Sequence, residues 1–279
     1  LKLWGEGKTT PQITQKVLGI GTDALDKEFR SWAEQRLVRF KKQFVPISRT
    51  GPYDKAKAEA QQAPNDARKQ TVYALASLKG GKKDEGTKAL EAALKADPKF
   101  PDAIWIKARI SLGKKEVPQA EALLASLVAG GSDGYAVQMA LADVAEAKGD
   151  SAKMKAALES AHTHDPSAAE PISALVDLAK KQGRPDDEIA GLRKLALIEE
   201  HDGRVHRRLM RALLDKKLYK EAKDIGEIAA WVEVNGMEMH ALFAEVLVAN
   251  KMIPRAIYEL ESAVLCPGRP EKKADAHAQ

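Results

Sequence analysis

The sequence predicts an all-α fold: a solenoid of about six 34-residue helix-turn-helix units, preceded by an N-terminal helical segment. Three observations predict it. The protein is rich in Ala, Leu, Lys and Glu and only 5% aromatic, a mix that suits helices packed through small side chains better than a sheet with a bulky core. Asp97-Pro98 and Asp165-Pro166 each close an amphipathic segment and lie 68 residues apart, twice 34; internal periods of this length signal stacked helical units. An apolar stripe also returns at fixed positions of every 34-residue window, with the spacing of one helix face.

In sequence order, residues 1–45 are expected to form a helical segment and 46–66 a linker with a short helix. Thr10-Pro11 opens the first helix, Thr supplying the cap and Pro the first helical position, and Gly19 stops it. Thr22 caps a longer helix whose apolar stripe is Leu25, Phe29, Trp32, Leu37, Phe40 and Phe44. Pro46 to Pro52 (PISRTGP) reads as the linker, and Tyr53 to Ala63 as a short helix.

The six units are expected at 67–100, 101–134, 135–168, 169–202, 203–236 and 237–270, aligned without a gap. Position 8 is Ala74, Ala108, Ala142, Val176, Met210 and Ala244, where two helices of a unit cross closely. Position 20 is Gly86, Ala120, Met154, Glu188, Ala222 and Ala256; position 24 is Leu90, Leu124, Leu158, Leu192, Gly226 and Leu260. Position 27 is Ala93, Leu127, Ala161, Leu195, Ala229 and Ala263, completing the stripe of the second helix. Turn signals fall mid-window at Gly80-Gly81, Gly113, Gly149-Asp150, Gly183-Arg184-Pro185 and Lys251 to Pro254. Glu188 and Gly226 depart from the stripe, so a local shift of helix register is expected in the fourth and fifth units. Residues 271–279 are expected to start a further helix. With Leu1 in place of a Met, this predicts a fragment of a longer protein.

The pattern resembles the tetratricopeptide repeat, which has small residues at positions 8, 20 and 27, a glycine near 15 and a proline at 32. Only Pro98 and Pro166 occupy position 32, with Pro267 one residue early. The resemblance implies a right-handed superhelix whose first helices line a concave groove for a protein or peptide partner. A second resemblance covers Gly7 to Leu37, which is similar to the tail of bacterial peptidase-MA-like gluzincin domains. It implies a catalytic domain upstream of Leu1 and a bacterial cell-envelope setting. The zinc motif HExxH itself, two histidines one helical turn apart with a glutamate base, does not occur in this sequence.

No chemistry is expected of these residues. His162, His164 and Asp165 lie close together, but zinc needs three or four converging donors and no second cluster accompanies them. His201, His206 and His240 are scattered, and no phosphate loop, dinucleotide turn or nucleophile elbow occurs. Cys266 stands alone. No cofactor or metal is therefore predicted. A net charge of +5 is spread through 45 basic and 40 acidic residues rather than gathered on one face, which argues against nucleic acid as a partner. No apolar run is long enough to span a membrane.

The expected activity is binding. By the repeat resemblance, positions 2, 5, 9 and 12 of each first helix face the groove. Its N-terminal part is apolar, with Leu75, Leu78, Trp105, Leu112 and Met139 and with Arg109 among them. The fifth unit presents Arg204, Arg207 and Arg211 on one helix face. These arginines suit a bidentate clamp on partner carboxylates. They suit equally well internal pairing with Glu170, Asp177, Glu238 and Glu245 at the matching positions of neighbouring units. Position 9 never carries Asn, which excludes the asparagine-and-lysine clamp by which some members of the family hold an acidic C-terminus.

Overall fold

The computed structural model describes residues 2–41 and 43–267, the Arg39 side chain apart. The helix expected at 271–279 lies outside them. The protein divides into two compact units, Leu1–Val45 and Pro46–Gln279. Among the described residues every regular element is a helix.

The first unit holds α1 (Lys2–Gly5), α2 (Thr10–Leu18) and α3 (Thr22–Lys41). The cap of α2 is Thr9 rather than Thr10: its backbone N–H donates to Gln12 Oε1 at 3.0 Å, half of a capping box. Gly19 ends α2 at φ 72°, a conformation that glycine adopts without a Cβ penalty. Along α3, Phe29 and Trp32 stack with centroids 5.8 Å apart and remain exposed.

The second unit opens with residues 46–52 outside any regular element and α4 (Tyr53–Gln62). Six helix pairs follow: α5 (Ala67–Lys79) with α6 (Lys83–Ala96), α7 (Pro101–Gly113) with α8 (Val117–Ala129), and α9 (Tyr135–Ala147) with α10 (Ser151–His164). Then come α11 (Ala169–Lys181) with α12 (Pro185–Ile198), α13 (Gly203–Asp215) with α14 (Tyr219–Val232), and α15 (Met237–Ala249) with α16 (Ile253–Leu265). Each second helix packs on the first helix of the next pair, and first helices also meet one another, as α5 meets α7 and α13 meets α15. Each unit thus buries its apolar stripe partly on its neighbour, the arrangement that makes a solenoid.

Both first and second helices start at strict 34-residue intervals, so the fourth and fifth pairs show no register shift. The departure at Gly226 and the large Val176 at position 8 are absorbed by exchanges of volume, while Glu188 stays half-buried beside an open concavity. Val176 is large where position 8 is elsewhere mostly Ala, and Gly191 faces it; a Cβ on Gly191 would stand 2.6 Å from Val176 Cγ2. Gly226 replaces the usual Leu because Phe243 of α15 fills that space, and a Cβ there would stand 2.2 Å from the ring.

One turn geometry joins the helices of every pair. Position 15 is left-handed in all six units: Gly81, Gly149 and Gly183 at φ 76°, 70° and 63°, and Lys115, Lys217 and Lys251 at φ 63°, 60° and 61°. The next residue's N–H reaches back five residues, from Lys82 to Ser77, Glu116 to Ser111, Asp150 to Ala145, and likewise in the later units, at 2.8–3.0 Å. This is the Schellman closure of a helix C-terminus. The core lies where the stripe predicts: Ala74, Ala108, Val176, Met210, Leu124, Leu192, Ala93 and Ala263 are all fully buried at 0% exposure.

Candidate partner-binding groove

Positions 2, 5, 9 and 12 recur on each first helix, and their surroundings change from one end of the array to the other. At the N-terminal end the apolar residues are partly buried rather than free. Leu75, Leu78 and Trp105 pack against Ala74, Leu90, Ala93, Ala103 and Ile106. Leu78 also fills the space over Gly86, whose Cβ would stand 2.7 Å from Leu78 Cγ. Met139 packs on Ala142, Ala157 and Leu158, and Leu112 is half-buried. Trp105 keeps one face for Arg109, whose guanidinium carbon lies 5.8 Å from the ring centroid.

An extended stretch of the protein itself lies against this end. The Ile47 backbone N–H donates to Asp102 Oδ1 at 2.6 Å, and Lys79 Nζ donates to the Ser48 carbonyl at 2.5 Å. Asp102 is position 2 of the second unit, and Lys79 closes α5. The linker is held through its backbone groups by two oppositely charged side chains.

Farther along, the arginines meet carboxylates, Arg207 and Arg211 those of other elements and Arg204 that of its own helix cap. Arg211 forks onto Glu245 of α15 with bonds of 2.6 and 3.0 Å, which raises the guanidinium pKa further. Arg207 reaches Glu233 at 2.8 Å and Glu238 at 3.6 Å. Arg204 folds back onto Asp202, the cap of its own helix, and this pairing lowers the Asp202 pKa. Arg109 meets Asp143 at 3.2 Å, again one repeat away. Of the carboxylates at the matching positions, Glu238 lies 3.6 Å from Arg207 and Glu245 takes Arg211, whereas Arg204 pairs with Asp202 instead. Asp177 instead takes Arg208 at 2.6 Å, and Glu170 accepts the Tyr135 hydroxyl at 2.7 Å.

A concavity of about 340 Å³ opens beside these pairs, lined by Lys180, Glu188, Arg207, Arg208, Arg211 and Glu238 among others. Sequence reasoning missed Arg208, which lines it, and Glu233, which pairs with Arg207 beside it. Arg208 stands one residue off the expected row. Glu233 sits in the α14–α15 turn, close against Gly203 and Gly236, where a Cβ on either glycine would come within 2.6 Å of it. The two glycines were the only signal of that close approach. Among the described residues no group of three or more His, Cys, Asp or Glu is placed to hold a metal ion, and no helix is long and apolar enough to cross a membrane.

No protein-family model and no curated protein matches the sequence. Solved structures do resemble it. MamA of AMB-1 is 19% identical; the match covers 60% of this protein and 91% of MamA, with a TM-score of 0.48. Pseudomonas aeruginosa PilF is 16% identical; the match covers 81% of this protein and 98% of PilF, with a TM-score of 0.49. YrrB, described as a TPR protein with an unusual peptide-binding site, is 12% identical; the match covers 83% of this protein and 100% of YrrB, with a TM-score of 0.42. Its own six helix pairs, repeating every 34 residues, make the fold a tetratricopeptide-type solenoid. The likeness is one of fold alone.

Proposed function

We propose that this protein is a non-catalytic interaction scaffold that takes an extended segment of a partner protein along the concave face of its first helices. The observation that carries this reading is the linker at Ile47 and Ser48. Asp102 and Lys79 hold it through a backbone amide and a backbone carbonyl, so this face can grip extended backbone whatever side chains it bears. Trp105 and its half-buried apolar neighbours supply contact area beside that grip. At the far end Arg207, Arg208 and Arg211 are already oriented by carboxylates. A partner there meets alternating charge in fixed positions, which sets register more than raw affinity. A peptide-array screen with the 279-residue protein tests this. Spots bound by the native protein are expected to weaken with Arg211→Glu and with Trp105→Ala while helical circular dichroism is retained. Unchanged binding by both folded variants overturns it.

A second reading rests on Gly7 to Leu37 and on the exposed Phe29–Trp32 stack of α3. In it the first unit is the tail of a zinc-peptidase domain and the solenoid positions that enzyme's substrate. Reading the parent gene upstream of Leu1 decides it: an HExxH motif supports the link, and its absence removes it.

A further inference from the structure

The outward face of the second helices changes character halfway along the array. Repeat positions 22, 26 and 29 share one face of each second helix, at spacings of i, i+4 and i+7. In the first three units they are Lys88, Ala92 and Lys95, then Ala122, Ser126 and Ala129, then Ala156, Ser160 and Thr163. In the last three the same positions include Leu197, Ile228, Trp231, Tyr258 and Leu265. The three at position 29 are the most exposed, with Leu197 at 83%, Trp231 at 83% and Leu265 at 84%. The fold does not require large apolar side chains there, because the first three units build the same helix from Lys, Ala and Thr. Large apolar groups recurring in line on an outer face mark an interaction surface.

The charge around the row indicates what it fits. Position 29 lies in the last turn of α12, α14 and α16, where free carbonyls carry partial negative charge. Exposed Glu199 and Glu200 follow Leu197, and exposed Glu261 stands one turn before Leu265. Two nearby cations are engaged within the array, Arg193 by Glu221 at 2.7 Å and Arg255 by Glu227 at 2.5 Å. Lys194 is the one basic member of the face itself in these three units. The row is therefore apolar with a mainly acidic rim.

We propose that this row docks an amphipathic helix of another protein, apolar on one side and bearing Lys or Arg at its edges. Its side chains bury Trp231 and the two leucines, and its basic edges meet Glu199, Glu200, Glu261 and the helix C-termini. The surface lies on the second helices and is separate from the groove on the first. Two partners can then be held at once.

The test uses the 279-residue protein and two labelled synthetic helices of about 18 residues, about five turns. Both carry Leu along one face; one has Lys at the flanks and the other Glu. The Lys peptide is expected to bind at least about tenfold tighter than the Glu peptide, and Trp231→Ala to weaken it by about tenfold, the scale of one buried aromatic anchor. Glu199→Lys combined with Glu261→Lys is expected to weaken it as well, and Arg211→Glu in the groove to leave it unchanged. All of these substitutions lie on the surface, and circular dichroism checks that each variant keeps its helices. Equal binding of the two peptides, or indifference to Trp231→Ala, overturns the proposal. So does a Trp231-dependent dimer seen by light scattering without peptide binding, or Trp231-dependent binding to phosphatidylcholine vesicles without peptide binding. Loss of the Lys peptide in Arg211→Glu moves its binding to the groove and overturns only the outer surface.

Discussion

Single residues in this array are chosen in pairs. Gly226 exists because Phe243, fully buried, occupies the volume that Leu takes in the other units. Gly226→Ala forces a methyl into the Phe243 ring and is expected to destabilise by about 1–3 kcal/mol, the cost of overpacking a filled core. Thermal unfolding measures it, and a partner change of Phe243→Leu in the same protein is expected to recover part of the loss. A stabilising change follows from the turns. Lys115, Lys217 and Lys251 hold φ near 60° where three other units use glycine. Lys217→Gly removes the steric cost of a Cβ in the left-handed region, and the gain is expected at roughly 0.5–1 kcal/mol after the added freedom of the unfolded glycine is set against it. A lower melting temperature for Lys217→Gly would show that this lysine contributes a contact worth more than the strain. The sequence pointed to Gly226 and Glu188 as irregular positions but suggested the wrong remedy. The structure keeps register at both, and at Gly226 it trades volume with Phe243 of the next helix, which no pattern within one helix reveals.

At the scale of elements, two polar clusters lock helices together. Tyr53 of α4 and Tyr73 of α5 both donate to Glu85 of α6 at 2.5 Å, and Lys57 stands 3.6 Å away. The Tyr53 hydroxyl, then the Tyr73 hydroxyl, hold the Glu85 carboxyl at a pKa of about 2 instead of 4.5. Folding therefore favours the ionised form. The contribution is complete above about pH 4.5 and is lost as pH falls through about 2. Acid titration followed by hydrogen exchange in α4 should show loosening across that window, and Glu85→Gln should be loose already at neutral pH. Identical acid profiles for the two proteins would remove Glu85 as the lock. The second cluster joins α15 to α16. His240 Nδ1 lies 2.7 Å from Glu259 Oε2 and Nε2 lies 2.9 Å from the Val234 carbonyl, with both side chains buried. His240→Ala strands a buried carboxylate and is expected to cost about 3–5 kcal/mol in urea unfolding. Neither cluster was visible beforehand, since their members stand 12 to 32 residues apart with no shared spacing.

On the scale of the whole molecule, the repeat was legible because one rule, small or apolar at a few fixed positions, is written six times. The candidate groove was legible only as a set of rows. Arg208 lies one residue off its row, and the linker contacts at Asp102 and Lys79 depend on a backbone path that periodicity does not encode. The same repetition makes stability local, since each unit is held by its neighbours. The core is uneven along the array. One large cluster joins α11 through α16, from Ile172 and Val176 through Leu209, Met210 and Leu213 to Phe243 and Leu247. The cluster at α5 to α7 is smaller and built mainly from Ala. Leu213 is fully buried in the large cluster, and Leu213→Ala is expected to cost about 2–5 kcal/mol there. In a solenoid that loss should stay near its origin. Hydrogen exchange should quicken across α11 to α16 while α5 to α8 keep their native rates. In the unmodified protein the same experiment should show stronger protection in α11 to α16 than in α5 to α8. If Leu213→Ala instead quickens exchange equally from Ala67 to Leu265, the array unfolds as one cooperative body, and stability cannot be assigned to its units one at a time.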